Sequence, residues 1–215
     1  MRELRLPGVE ASAALFGAGA TVVVLGHGAG GDRRTPMLVA LAEALAASGR
    51  AALLYNFPYA EKGAGRPDPP AVLESTARAA AALAQDESGA QRIVHGGRSM
   101  GGRIASQIVA QGVPASGLAF LAYPLHPPGQ PERLRDAHLG KIAVPMLFVQ
   151  GTRDAFARED LLRRTIDSMA PRAELVRIAG ADHSFHVPKR SGRVPEDVLV
   201  EVEGVLLDWL TRHRL

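Results

Sequence analysis

The stretch His95-Gly96-Gly97-Arg98-Ser99-Met100-Gly101-Gly102-Arg103 decides the fold. Before it, Arg92 to His95 reads as a short strand, and Met100 to Ala110 reads as a helix. Between the two lies Gly97-x-Ser99-x-Gly101. A serine on a sharp strand-to-helix turn sits in a strained conformation. Side chains two residues to either side of it would collide with backbone, and glycine at both places removes them. Such a turn exposes the serine oxygen and aims the first N–H groups of the helix at the same spot. The plainer reading is a glycine-rich turn in which Ser99 caps the helix.

Outward from this turn the chain alternates short apolar runs with helical patterns. Thr21–Leu25, Ala51–Tyr55, Leu118–Ala122, Pro145–Gln150 and Ala173–Ile178 read as strands. Met37–Ala47, Ala71–Ala84, Arg158–Met169 and Pro195–Arg212 read as helices, with Pro36 and Pro195 suited to first turns. Glu61–Pro70 and Leu125–Pro131 are Gly- or Pro-rich surface loops. Strands apolar on both faces and separated by helices imply an α/β fold, a mostly parallel sheet with helices on both faces, as one domain over 1–215. Function in such sheets collects at the carboxyl ends of the strands.

Composition narrows the chemistry. The 215 residues are 47% hydrophobic and 22% charged, enough for a core without staples. There is no cysteine, so disulfides, thiolate metal sites and a cysteine nucleophile are all excluded. The net charge of +3 is spread along the chain and aromatics are only 5%, which argues against a nucleic-acid surface. No apolar run is long enough to cross a bilayer and no leader pattern opens the chain, so a cytoplasmic, non-membrane protein is expected.

A serine hydroxyl needs a base, and the base needs an orienting acid. In a serine, acid, histidine order the acid follows one late strand and the base the next. The run Gly151-Thr152-Arg153-Asp154 leaves the strand 145–150, and Ala181-Asp182-His183-Ser184-Phe185-His186 follows the strand 173–178. Asp154 and His183 are therefore the candidates. Asp182 competes as acid, but it adjoins His183, and chain neighbours seldom point at one another; His186 competes as base. His126 and His138 precede any acid position, and His213 lies late in the last helix.

Gly26-His27-Gly28-Ala29-Gly30-Gly31 follows the first of these strands and matches the dinucleotide pattern Gly-x-Gly-x-x-Gly. Against a nucleotide site, the next helix starts several residues late, near Pro36, and Tyr55-Asn56-Phe57 offers no acid for a ribose. Under a hydrolase reading the loop supplies the second oxyanion donor, the N–H of Ala29, to pair with that of Met100. His27 then props the loop.

Together GHGAGG, GGRSMGGR, QGTRD and GADHSF, in this order, resemble the alpha/beta-hydrolase superfamily over nearly the whole chain. Gly97 to Arg103, Tyr123-Pro124-Leu125 and Gln150 to Asp154 are similar to a compact branch. That branch holds many bacterial proteins and the hydrolase-like domain of an animal NSL histone-acetyltransferase-complex regulatory subunit and its testis-expressed relative. It resembles the dienelactone-hydrolase-like group, whose members use a cysteine nucleophile where this chain has Ser99. The resemblance implies the alpha/beta-hydrolase fold, and with the candidate residues the expected activity is a serine hydrolase acting on a small or medium carboxylic ester, or on a thioester or amide. It needs no metal or organic cofactor, and its partner is a small acyl substrate. A catalytically silent interaction module on the same fold is the alternative.

The connection 122–144 is too short for a helical lid, so an open pocket is expected, bordered by Phe57, Tyr59, Leu125 and His126. Arg33, Arg34, Arg66, Arg98 and Arg153 would give its mouth a positive field suited to an anionic substrate.

Overall fold

The computed structural model describes all 215 residues. In chain order the elements are β1 (Arg2–Arg5), β2 (Ser12–Phe16), β3 (Thr21–Gly26), α1 (Pro36–Ala47), β4 (Ala51–Tyr55), α2 (Pro58–Glu61), α3 (Pro70–Ser88), β5 (Arg92–Arg98), α4 (Met100–Ala110), β6 (Gly117–Leu121), β7 (Met146–Gly151), α5 (Glu159–Asp167), β8 (Ala173–Ile178) and α6 (Pro195–Arg212). The strands form one sheet in the order β1-β2-β4-β3-β5-β6-β7-β8. Strands β4, β3, β5, β6, β7 and β8 run parallel, and β1 and β2 join antiparallel at one edge.

The central strands are buried on both faces and alternate between two cores. Val23 and Leu25 of β3 and Leu147 and Val149 of β7 face α1 and α6, where Trp209 is fully buried. Val22 and Val24 face α3 and α4, and Phe120 and Phe148 pack toward α5. Each side chain of this size that leaves water contributes about 1.5–3 kcal/mol, which explains the β-branched and leucine-rich central strands.

The parallel part of the sheet and all five long helices agree with the sequence reading. Strand β5 is longer than expected, running on through Gly96 and Gly97 to Arg98. Helix α3 continues one turn past Ala84 and ends at Gly89, which has a left-handed φ of 63°. Strands β1 and β2 were not anticipated. Between β6 and β7 the chain has only a three-residue 3-10 turn at Leu139–Lys141, so no lid helix covers the strand ends. No helix is long and apolar enough to cross a membrane.

Candidate active site

Parallel register sets the site. Gly26 of β3 lies opposite Gly97 of β5, so both strands deliver their exits to the same edge. Ser99 follows with φ 50°, ψ −114°, a region L-residues rarely occupy. Its N–H is held by the Leu121 carbonyl at 2.9 Å. A methyl group on Gly97 or on Gly101 would run into the Gly26 carbonyl oxygen. The two glycines of the motif therefore let the elbow press onto the backbone of β3, and Gly97 also needs its φ of 141°.

Ser99, His183 and Asp154 come together from three separate strand exits. The Ser99 hydroxyl lies 2.8 Å from His183 Nε2, and His183 Nδ1 lies 2.7 Å from Asp154 Oδ2. A carboxylate can only accept, so Nδ1 carries the proton and Nε2 accepts from the serine hydroxyl. The Asp154 side chain is fully buried and that of His183 is 18% exposed. Asp154 Oδ1 accepts the Phe156 N–H at 2.8 Å, and Oδ2 also accepts from Gln150 Nε2 at 2.5 Å. The Phe156 ring stacks on the imidazole, with centroids 4.1 Å apart.

The acid and base loops are tied to each other. Arg153 N–H donates to the Ala181 carbonyl at 2.8 Å, and Gly180 N–H to Thr152 Oγ1 at 2.8 Å. Asp182, the competing acid, instead shapes the histidine loop: its Oδ1 accepts the N–H groups of Ser184 and His186. The His186 side chain is 74% exposed and lies 4.0 Å from Asp182 Oδ2, with no hydrogen bond to Ser99 or Asp154. Phe185, at a left-handed φ of 62°, buries its ring in the core and anchors the loop.

On the other side of Ser99, the N–H groups of Ala29 and Met100 have no acceptor within the chain, which leaves both available to an anionic oxygen. His27 is buried and neutral: burial lowers its pKa, Nδ1–H donates to the Gly28 carbonyl at 2.8 Å, and Nε2 accepts the Phe57 N–H at 3.2 Å. Tyr59 O–H donates to the Ala29 carbonyl at 2.9 Å, and burial, helped by Asp68, pushes its pKa up to about 12. The loop is thus braced by Phe57 and by α2. Gly26 and Gly28 serve close packing on the elbow, since a methyl on Gly26 would sit 3.0 Å from the Gly101 Cα and one on Gly28 3.7 Å from Ser99 Cβ.

Two clefts meet at Thr35 and Pro36, one reaching Ala29 and the other Arg98 and Ser184, the chain neighbours of Ser99 and His183. One, about 550 Å³, runs along Ala29, Arg34 and Tyr59. The other, about 430 Å³, lies between Met37, Arg98, Phe185, Val198 and Leu199. Of the four expected border residues, Tyr59 faces a cleft. Phe57 and Leu125 have no exposed surface and sit in the core. His126 is also interior, where Nε2 accepts the Arg158 N–H at 2.9 Å and fixes the acid loop from below. Arg33 is not part of a mouth field either: its buried guanidinium pairs with Glu3 at 2.6 Å and holds the N-terminal hairpin. Arg34 and Arg98 line the clefts, while Arg66 and Arg153 are exposed outside them. No group of three His, Asp or Glu side chains is arranged to hold a metal ion.

Residues 19–211 match the family model described as an alpha/beta hydrolase domain. The chain belongs to the alpha/beta-hydrolase family. Among solved alpha/beta hydrolases it is similar to an alpha-beta serine hydrolase homologue from Coxiella burnetii, at 20% identity and TM-score 0.77, over 97% of this chain and 96% of that one. It is also similar to an a/b serine hydrolase without lid from Xanthomonas campestris, at 18% identity and TM-score 0.74, over 98% and 94%. A dienelactone hydrolase from Anabaena variabilis matches at 19% identity and TM-score 0.73, over 98% and 95%. At these identities the likeness is one of fold.

Three parts of this alpha/beta hydrolase's site escaped the sequence reading. Gln150 closes an apolar strand, and a buried polar residue four positions before a candidate acid was its only signal. Phe156, two residues after Asp154, looks like any loop aromatic until the fold brings it to His183. In the sequence Arg98 offers only its charge. In the structure its Nη2 donates to Ser184 Oγ at 2.9 Å and to the His183 carbonyl at 3.3 Å, bridging the elbow and the histidine loop.

Proposed function

We propose that this alpha/beta hydrolase is a serine esterase that cleaves small or medium carboxylic esters through an acyl-enzyme. The observation that carries the reading is the unbroken hydrogen-bonded chain from Ser99 Oγ through His183 to buried Asp154. Ser99 Oγ attacks the ester carbonyl while His183 Nε2 takes the hydroxyl proton. Asp154 holds the imidazolium that forms. The carbonyl electron pair moves onto oxygen, where the N–H groups of Ala29 and Met100 donate to it. The intermediate collapses, His183 gives its proton to the departing alkoxide, and the alcohol leaves. A water molecule then loses a proton to His183 and attacks the acyl-serine, and as that intermediate collapses His183 returns the proton to Ser99 Oγ, which releases the acid and restores the hydroxyl.

The two clefts and the absence of a lid helix support a small or medium substrate. A silent interaction module would have no use for an outlying serine backbone and a carboxylate buried against an imidazole. The neighbours described as serine hydrolases support the same reading. Rapid mixing with p-nitrophenyl butyrate tests it. An initial burst of p-nitrophenolate equal to the enzyme concentration, with an acyl mass on the Ser99 peptide, is the expected result. Absence of both burst and turnover refutes it.

A further inference from the structure

Arg98 precedes the serine and carries more charge than its surroundings use. It takes part in none of the chain's ion pairs. Its two hydrogen bonds, both from Nη2, go to the neutral acceptors of His183 and Ser184. Nε and Nη1 have no acceptor. Asp154 and Asp182 act on it only through space, and its burial is the larger influence, lowering its pKa. A half-buried guanidinium without a carboxylate leaves charge-assisted donors unused.

Nη1 lies beside the serine turn. A methyl group on Gly28 would lie 3.0 Å from Arg98 Nη1 and 3.7 Å from Ser99 Cβ. The guanidinium and the nucleophile therefore both lie close against Gly28 of the oxyanion loop. Arg98 also walls the 430 Å³ cleft, whose other side is the apolar surface of Met37, Phe185, Val198 and Leu199. Glu196 lines that cleft without pairing to Arg98, so the charge stays available.

Building on the esterase reading, we propose that Arg98 is a specificity residue, and that the preferred substrates are esters whose acyl part bears a carboxylate. The carboxylate takes the free Nη1 and Nε donors while its alkyl spacer lies on the apolar wall. A single charge-assisted contact of this kind corresponds to about tenfold or more in kcat/KM.

The experiment compares monomethyl succinate, glutarate and adipate with methyl butyrate, pentanoate and hexanoate. It follows methanol release by the wild type, Arg98→Gln and Arg98→Lys, with Ser99 labelling by a neutral fluorophosphonate as a parallel readout. The wild type is expected to favour at least one half-ester over its neutral counterpart by about tenfold in kcat/KM, less so in about 0.5 M salt. In Arg98→Gln that ratio falls to near one, whatever happens to the absolute rates, and Arg98→Lys keeps part of it. Loss of both series by the same factor in Arg98→Gln would place the residue in the scaffold or the oxyanion site and overturn the inference. A wild type that labels but shows no such preference, or turns over neither series, also overturns it and leaves the serine hydrolase standing. A folded wild type that neither labels nor turns over removes both.

Discussion

Replacing Gln150 with methionine separates the demands of stability from those of the site. Gln150 is buried, and its Nε2–H donates to Asp154 Oδ2, the same oxygen that receives His183 Nδ1–H. Its other amide atom, Oε1, has no partner in the chain. Methionine has similar length and volume and removes both atoms. Losing a donor to a carboxylate costs about 1.5–3 kcal/mol, and removing an orphaned buried acceptor returns about 1–3 kcal/mol. The two nearly cancel, so folding stability changes by about 1 kcal/mol or less, a few degrees in Tm. Activity has no such compensation. Asp154 keeps the Phe156 N–H but loses its tether on the oxygen that orients the base. If about half of the lost contact is felt in the transition state, about 0.75–1.5 kcal/mol, kcat falls about four- to twelvefold. Thermal melts and steady-state kinetics on one ester, run side by side, read both quantities. Unchanged kcat, or a Tm loss large enough to explain the rate loss by unfolding, would refute the reasoning.

Further outcomes follow from neighbouring residues. Gly101→Ala drives a methyl into the Gly26 carbonyl, so it should cost about 1–3 kcal/mol of stability by thermal melt and remove activity by displacing Ser99. Phe156→Leu strips the stacked ring from His183, and an aromatic pair of this kind is worth about 0.5–1.5 kcal/mol. The expected result is a three- to tenfold lower kcat with KM little changed, measured on the same ester. His95, buried beneath the elbow with Nε2–H donating to the Pro114 carbonyl at 3.0 Å, has its pKa pulled down to about 4 by burial. The unfolded chain takes up that proton near pH 6.5 and the folded one only near 4. Stability is therefore lost as pH falls between those values, by up to about 3 kcal/mol, and urea melts of the wild type against His95→Gln should show the acid slope reduced in the variant.

The parallel core was legible because its strands are short apolar runs bracketed by glycine, proline or polar residues, and because burial on both faces leaves a continuous signal. The edge hairpin was not. Strand β1, Arg2–Arg5, is mostly exposed, and β2 contains Ser-Ala-Ala, which has little β preference; partners across the sheet, not local propensity, make these strands. Strand β5 outran its expected end because glycines read as a turn, while here Gly96 and Gly97 let neighbouring backbone approach within the sheet.

In the site, the residues whose chemistry is tied to strand exits could be placed in advance, and Ser99, Asp154 and His183 do meet. The pocket walls could not. Phe57, Leu125 and His126 carry the right chemistry for a pocket, but loop paths turn them inward, and loop paths depend on tertiary contacts such as the His126 link to Arg158. The same holds for Arg33, which only the folded chain brings to Glu3.

The most direct test of the Ser99 centre is labelling by a fluorophosphonate followed by intact mass, with Ser99→Ala and His183→Ala alongside. An activated serine gives one adduct on the wild type, none on Ser99→Ala and a much slower reaction on His183→Ala. A folded wild type that stays unmodified, or a Ser99→Ala variant that labels equally well, would contradict the proposed mechanism.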